Sequence, residues 1–581
     1  PTHSEYWEAE DMLGRRLHSA EDIRGAREKY VGIFYWTWRD AHAGNRAVNV
    51  SEVLDKYPSA EYNRDHPAWG DRSTLQCSWG EPLYGHYRNA DPYVIRRHAA
   101  LLSDAGVDFL MFDCTNGAML WRSAYEALLR GLHEAREDGI CTPKIAFMLN
   151  FAPTHDGEKM LRALYQNLYK PGLYSDLWFT IDGKPLIMAY KEALPEQGKS
   201  DADTAFLDEI RSFFAFRAGQ PLYGTENGGQ KRPDHWGWLE IFPQNKYGER
   251  PDGSCEMMTV GVGQNANLQR ICTHFNDRGT FGRSYTHADG FSLITSDSYK
   301  YGYNFAEQWQ RALDCDPDIV FVTGWNEWIM GQWKEPWLSD ENSTQLAMVD
   351  QYNREYSRDI EPDRDGYKDT YYLQLCDNIR RFKGSKPRPH ASEQFDRAPS
   401  DSVWSKIVPE YNFERGMTIK RDFDGFSGLH YKNDSGRNCI ISAKVAHDAD
   451  NLYFRAECEN SVTVRDGDAW MNLFIGVGVG GWNGFEFLIN RYERKKGIVS
   501  VELYSPAASP DEFSWREIGK AKIKTNANSI VLTIPRELLG LTDKIDLRFK
   551  WSDNMQRRDV MDFYENGCAA PLGRFSCRYV K

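Results

Sequence analysis

Residues 318–328 read DIVFVTGWNEW, an apolar run that ends abruptly in polar and aromatic side chains. A short, continuously apolar run is typical of a strand buried on both faces of a parallel sheet. When such strands close into a barrel, the functional residues collect where the strands end. This stretch therefore predicts a buried strand that delivers Glu327 to the functional face of a barrel.

Seven similar runs precede this one and alternate with helical segments, at 31–38, 108–113, 145–151, 185–190, 213–217, 237–242 and 257–262. The helix before the second barrel strand is well signalled, with Asp91 as N-cap, Pro92 at the first position and Gly106 at the stop. Eight strands interleaved with helices over about 300 residues fit a closed barrel better than an open sheet. The expected fold class is α/β, a (β/α)8 TIM barrel.

The pattern changes in the C-terminal third of the chain. Two further helices are expected at 343–357 and 368–382, followed by a polar, proline-containing linker. From about residue 405 apolar and polar residues alternate with period two, which predicts an antiparallel β-sandwich. The expected domains are a barrel with an N-terminal extension over 1–383, a linker over 384–404 and the sandwich over 405–581.

Composition limits the possible partners. A net charge of −13 argues against a nucleic-acid surface, which needs clustered basic residues, and no apolar run is long enough for a membrane span. Aromatic residues make up 14% of the chain, with 19 Trp and 31 Tyr, and suit stacking on sugar rings or simply a large core. The eleven cysteines lack paired spacing, so neither a disulfide scaffold nor a zinc site is expected. No cofactor is implied, and the oligomeric state is left open.

The predicted strand ends carry three carboxylates, Asp113, Glu240 and Glu327. Glycosidic cleavage uses such acids in pairs, one to protonate the leaving oxygen and one to attack or to activate water. Amides can hold hydroxyl groups and aromatic faces can hold the ring. The expected substrate-binding residues are Trp36, Trp38, His86, Tyr87, Asn116, Asn150, Trp238, Gln244, Gln264, Trp325, Asn326 and Trp328.

Several of these residues could have purely structural roles instead. Asp113 could cap the following helix, and Glu240 could pair with Arg217 inside the barrel. His86 and Tyr87 belong to a loop of about 50 residues after the first strand, which is expected to contact substrate or to pack over the barrel mouth. Glu327 is harder to explain structurally, because an acid enclosed by Trp325 and Trp328 costs stability unless it is paired or used.

The run Val322 to Trp328 resembles the eighth-strand motif of barrels related to family 99 glycoside hydrolases, the endo-α-mannosidases and endo-α-mannanases, a loose group that also includes the WbsX-like proteins. The resemblance covers roughly residues 30–345 and implies a barrel that acts on α-linked sugars. That family carries a second Glu three residues after the first, but position 330 is Met here. The family's acid/base residue therefore has no counterpart at this position, and Asp113, then Glu240, is the expected partner of Glu327.

The C-terminal segment resembles the sandwich of family 9 carbohydrate-binding modules, on runs that include 443–448, 451–454 and 484–491. The resemblance implies the fold, and sugar binding would need exposed tryptophans such as Trp482 and Trp515.

The leading hypothesis is thus a glycoside hydrolase of poly- or oligosaccharides that is secreted, periplasmic or at the cell surface, with its signal segment expected to have been removed. The sequence leaves open the alternative that it never had one. The alternatives are a glycan-binding protein on a degenerate hydrolase barrel and a biosynthetic transferase.

Overall fold

A computed structural model describes residues 4–23, 25–40, 43–219, 234–264, 266–268, 274–333, 346–478, 480–506 and 512–581 of the 581-residue chain. Eight of its strands form a parallel, nearly closed barrel, which confirms the predicted fold class. They are β1 (Tyr30–Tyr35), β2 (Phe109–Asp113), β3 (Lys144–Met148), β4 (Lys184–Met188), β5 (Ala215–Gly219), β6 (His235–Trp236), β7 (Met257–Gly261) and β8 (Ile319–Thr323). Each pairs with its neighbour in chain order and β8 pairs with β1, while β6 and β7 share no ladder in the described residues.

The predicted sixth strand, 237–242, is wrong, because the strand lies at His235–Trp236 instead. Two carbonyls of the following segment accept hydrogen bonds from side chains rather than from a neighbouring strand. Thr323 Oγ1 donates to the Trp238 carbonyl at 3.0 Å, and Gln308 Nε2 donates to the Glu240 carbonyl at 2.7 Å. Side chains therefore bridge the side of the barrel where β6 and β7 are unpaired.

The described helices are α1 (Val50–Lys56), α2 (Pro92–Ala105), α3 (Arg122–Glu137), α4 (His155–Leu164), α5 (Asp201–Phe213), α6 (Tyr303–Cys315), α7 (Thr370–Lys383), and the short α8 (Asp401–Trp404) and α9 (Asp562–Glu565). Helices α2 to α7 surround the barrel, α1 lies in the long loop after β1, and the short α8 and α9 belong to the C-terminal part. The predicted caps of α2 are confirmed, since the Asp91 side chain accepts from two backbone amides and Gly106 ends the helix in the left-handed conformation. None of the described helices is long and apolar enough to cross a membrane.

The expected helix at 343–357 is wrong over its described part, 346–357, which is irregular. The side chain of Asn353 accepts hydrogen bonds from the amides of Glu355 and Tyr356 and so stabilises a turn. The second expected helix, 368–382, is confirmed as α7.

The long loop after β1 has its own secondary structure. Strands Arg46–Asn49 and Leu75–Ser78 pair in parallel, and Ile329–Met330, just after β8, pairs antiparallel with Leu75–Ser78. The connections that follow β1 and β8 therefore form one small sheet at the same end of the barrel. This is the end at which the sequence places the functional residues.

The C-terminal part contains an eleven-stranded antiparallel sheet, as predicted. In chain order its strands are Glu410–Asn412, Ile440–His447, Asn451–Cys458, Asn472–Gly476, Phe487–Lys495, Ile498–Tyr504, Trp515–Thr525, Ser529–Pro535, Asp546–Asp553, Cys568–Ala570 and Cys577–Val580. The sheet folds back on itself, because the Ile440 amide near one edge donates to Cys568 Sγ at the other, at 3.3 Å. A separate hairpin, Arg421–Asp424 with His430–Asn433, packs on the barrel loop through an ion pair of Arg421 with Asp91.

Candidate active site

Three carboxylates and one guanidinium meet where β8 ends. Arg358 Nη2 donates to Glu327 Oε2 at 3.2 Å and to Asp350 Oδ1 at 2.7 Å. The Glu327 amide donates to Asp359 Oδ1 at 2.6 Å. Glu327 is 7% exposed and Asp350 9% exposed, so both acids are mostly, but not completely, withdrawn from water. We call these three acids, together with Asp113 at the end of β2, whose charge interacts with those of Glu327 and Asp350, the acid cluster.

Backbone pairing brings Arg358 and Asp359 to this place. The Gly324 amide donates to the Arg358 carbonyl at 2.9 Å, and the Ile360 amide donates back to the Gly324 carbonyl at 3.1 Å. The Trp79 indole from the long loop then donates to Asp359 Oδ2 at 3.1 Å. The segment around 358–360 therefore lies beside the end of β8 almost as an additional strand.

Burial and like charges set the protonation state of Glu327. Burial raises its pKa well above the ordinary value, the charge of Asp350 raises it further, and Arg358 opposes the shift. Asp113 also contributes to raising the pKa of Glu327. Burial raises the pKa of Asp359 to about 6. Glu327 is thus the acid of this cluster that is set up to hold a proton.

Asp113 ends β2, and its carboxylate is held by neighbours on both oxygens. Trp38 Nε1 donates to Oδ2 at 2.9 Å, while the Thr115 amide and hydroxyl donate to Oδ1 at 3.1 and 2.8 Å. Burial is the main cause that raises the pKa of Asp113, and the charge of Asp350 adds to it. The helix-capping alternative does not describe these contacts, because its donors are Trp38 and Thr115 and not the first amides of α3.

Two aromatic pairs border the acid cluster. Trp38, which holds Asp113, stacks on the half-buried Trp121 with ring centroids 5.7 Å apart. Trp238 stacks on the half-buried Phe151 at 5.4 Å and lies 5.7 Å from the guanidinium of Arg358. Among the predicted tryptophans, Trp38 thus contacts an acid of the cluster directly, and Trp238 lies beside Arg358, which binds two of these acids.

Other predicted substrate-binding residues lie in a buried polar network beneath the strand ends. Asn326 accepts from the Trp36 amide and donates to the Tyr87 hydroxyl. Tyr87 and the Trp328 indole both donate to Glu361 at 2.8 Å. The side chains of these predicted residues and of Trp325 are at most 1% exposed. Their direct contact with a sugar stays a prediction, and their burial disfavours it.

Glu240 is separated from this network by its own set of donors. Its carboxylate accepts from Thr259 Oγ1, from both nitrogens of Asn245 and from the Tyr247 hydroxyl. Arg217 pairs with Glu256 instead, so the alternative pairing with Glu240 is wrong. These four hydrogen bonds occupy both oxygens of the Glu240 carboxylate. A catalytic role for Glu240 stays a prediction, and these contacts disfavour it.

The predicted amides have mixed positions. Gln244 donates to the carbonyls of Thr259 and Gln308, and Gln264 donates to Asn304, all within the buried barrel wall. Asn150 donates to the Thr115 and Gly117 carbonyls and so holds the loop after β2, on which Asn116 is exposed. Asn116 is therefore the predicted amide best placed to meet a ligand.

His86 is half-buried against the C-terminal hairpin. Its amide donates to the Tyr431 hydroxyl at 2.8 Å, and its carbonyl accepts from the Phe426 amide at 2.7 Å. Burial lowers the pKa of its imidazole to about 3, with a further contribution from the charge of Arg39. The contacts of His86 thus join the barrel loop to the hairpin.

Sequence reasoning missed Asp350, Arg358 and Asp359. Asp350 lay inside the wrongly expected helix, and SRDIEPD at 357–363 has the composition of a solvated loop. Four charged residues of that stretch are buried, but no regular alternation of apolar and polar residues in the sequence indicates it. The one available signal was indirect, since a Glu between two tryptophans requires a cationic partner from elsewhere in the chain.

Trp482 of the C-terminal sheet is 1% exposed and packs on Phe474 and Phe513, so its expected exposure is wrong. Trp515 is half-buried. Within the described residues no group of His, Cys, Asp and Glu has an arrangement that could hold a metal ion.

Neither a protein-family model nor a curated protein matches the sequence. Solved structures similar to the chain include two of a family 99 endo-α-mannosidase from Bacteroides thetaiotaomicron, one of them bound to bis-tris-propane. The identities are 14% and 13%, the TM-scores are 0.33 and 0.31, and each match covers 61% of this chain and 97% of the other. At these TM-scores the likeness supports no conclusion about activity, and the barrel is established by the strand order of the chain itself.

Proposed function

We propose that this protein is a glycoside hydrolase that cleaves a poly- or oligosaccharide at the acid cluster. The observation that carries the proposal is the grouping of Glu327, Asp350 and Asp113 at the C-terminal ends of β2 and β8, next to two stacked aromatic pairs. Active sites of (β/α)8 barrels lie at this end. Glycosidic cleavage needs a proton-donating acid and a second carboxyl group, and the cluster offers Glu327, whose pKa is raised, with further carboxyl groups beside it.

Glu327 serves as the general acid in this proposal. Arg358 contacts Oε2, which leaves Oε1 to carry the proton, and the raised pKa keeps that proton in place at a higher pH than an ordinary glutamate would. A second member of the cluster supplies negative charge at the anomeric carbon. Trp38 with Trp121, and Trp238 with Phe151, supply apolar faces for sugar rings.

The α-linkage and the extracellular location belong to the proposal as well. The α-linkage rests on the family 99 resemblance of residues 322–328, and secretion on the expected degradative role.

The test is incubation of the wild-type protein with a panel of α- and β-linked oligosaccharides and polysaccharides, followed by chromatography of the products. Cleavage of at least one glycan supports the proposal. Binding without cleavage, lost in the Trp38→Ala variant, would instead indicate the alternative, a glycan-binding protein on a hydrolase barrel. No cleavage and no binding would refute both.

The pH dependence follows from the raised pKa of Glu327. An acid catalyst works while it is protonated, so kcat/KM is expected to hold up to a pH above the ordinary glutamate pKa of about 4.3 and to decline only as the pH passes the raised value. A kcat/KM profile between about pH 3 and 9 measures this basic limb. A basic limb at an ordinary glutamate pKa would contradict the assignment of Glu327 as the acid.

Trp121 is expected to contribute to substrate binding. Its ring is half-buried and stacks on Trp38, beside Asp113. Loss of one aromatic contact with a sugar ring weakens binding by about 1 kcal/mol, so Trp121→Ala should raise KM roughly five- to tenfold with little change in kcat. The matched control is Trp178→Ala, because Trp178 is also half-buried but bridges to Ile145 at the start of β3, at the other end of the barrel. An equal rise in KM for both variants would argue against a binding role for Trp121.

A further inference from the structure

Asp350 and Glu327 share one nitrogen atom. Arg358 Nη2 lies 2.7 Å from Asp350 Oδ1 and 3.2 Å from Glu327 Oε2. The two oxygens that Arg358 holds therefore lie within about 6 Å of each other, so the two carboxyl groups are neighbours, as are the paired carboxyl groups of retaining glycosidases, which lie about 5–5.5 Å apart. We propose that Asp350 is the catalytic nucleophile that works with Glu327, an inference that rests on the proposed glycosidase function.

Asp350 is better prepared for attack than Asp113, the partner expected from sequence. Both oxygens of Asp113 accept hydrogen bonds, from Trp38 and Thr115. In the described part of the chain, Asp350 accepts from Arg358 on Oδ1 alone, and its other oxygen has no hydrogen-bond donor there. A carboxylate nucleophile needs one oxygen fixed by a hydrogen bond and the other able to attack the anomeric carbon. Asp350 has that arrangement.

Arg358 is the positioning residue of the pair. Its guanidinium lies 5.7 Å from the ring centroid of Trp238 and 5.5 Å from that of Phe275, and its Nη1 donates to the Val349 carbonyl at 3.4 Å. It is 2% exposed. Aromatic rings and a carbonyl thus fix the guanidinium, which in turn fixes Asp350 relative to Glu327.

The reaction proceeds in two balanced steps. Asp350 Oδ2 forms a bond to the anomeric carbon while the bond to the leaving oxygen breaks, and that oxygen takes the proton of Glu327. Water then bonds to the anomeric carbon as the ester bond to Asp350 breaks, and Glu327 receives a proton of that water. Two inversions give net retention of the anomeric configuration.

The test uses a substrate cleaved by the wild-type protein, as an aryl glycoside or glycosyl fluoride, and sodium azide. Asp350→Ala should lose at least roughly a hundredfold in kcat. Azide should restore turnover, because it fits the space left by the carboxylate, and the product should be a glycosyl azide of the opposite anomeric configuration. Asp350→Asn, which keeps the hydrogen bond from Arg358, should be equally slow and folded.

Asp113→Ala is the matched control and should form no glycosyl azide. Azide rescue of Asp113→Ala but not of Asp350→Ala would overturn the inference, as would an Asp350→Ala variant that is as active as wild type or that is inactive without forming the azide product. In each of these cases cleavage by the wild type still stands, and with it the proposed function. A wild-type protein that cleaves no substrate overturns both.

Discussion

Replacing Glu327 by Gln is expected to lower the rate of glycan cleavage by roughly 10²–10⁴-fold, the usual contribution of a positioned general acid. The amide fills the same space and can still accept from Arg358, but it has no proton to give to the leaving oxygen. The measurement is kcat on a natural glycan and on an aryl glycoside with a good leaving group. The loss should be smaller on the activated substrate, which needs less protonation.

Stability measurements separate this loss from misfolding. The pKa of Glu327 is raised in the folded state, so its favourable contribution is present below the unfolded pKa and is lost as the pH rises through the folded value. Glu327→Gln should therefore be at least as stable as wild type at neutral pH. The control is Glu486→Gln, just before the sheet strand Phe487–Lys495, where burial also raises a glutamate pKa, and this variant should keep its activity. Equal losses in both variants would contradict a catalytic role for Glu327.

Replacing Asp369 by Ala is expected to lower the free energy of unfolding by about 3–5 kcal/mol, as when one partner of a buried ion pair is removed. Asp369 precedes α7 and accepts from Arg574 Nε and Nη2 at 2.7 and 3.0 Å and from the Tyr564 hydroxyl at 2.9 Å. Its side chain is fully buried, and Arg574 is 7% exposed. Alanine would leave a buried guanidinium and a buried hydroxyl without their acceptor.

This pair joins the barrel helix α7 to the C-terminal sheet region, so calorimetry and chemical denaturation should both show the loss. The control is Glu209→Ala, which breaks an exposed pair with Lys170 and should cost at most about 1 kcal/mol. A similar, small effect for both variants would mean that the Asp369 pair contributes little to holding the two regions together.

Local sequence patterns were sufficient to predict several barrel strands and the ends of α2. The runs at 31–38, 108–113 and 318–325 became β1, β2 and β8, because a strand covered on both faces must be apolar along its whole length. Asp91 and Gly106 bounded α2 as expected, since caps act within a few residues. The apolar pattern at 237–242 gave a wrong strand prediction. Side chains distant in sequence, Gln308 and Thr323, donate to carbonyls of this segment, which therefore does not pair with a neighbouring strand.

By itself, then, the sequence determined the barrel, the antiparallel C-terminal sheet and the position of Glu327 at a strand end, all of which depend on periodicity and on neighbours along the chain. Only the tertiary structure decided which groups surround that glutamate. Arg358 and Asp350 lie 31 and 23 residues beyond it. Backbone pairing of Gly324 with Arg358 and Ile360 places Arg358 beside it, and the guanidinium of Arg358 binds Asp350. Charge pairing in a buried site depends on distance in space, which residue order does not encode locally. The same reason explains why the burial of Trp36, Trp325 and Trp328, which the sequence predicts to bind sugar, was not evident from the sequence.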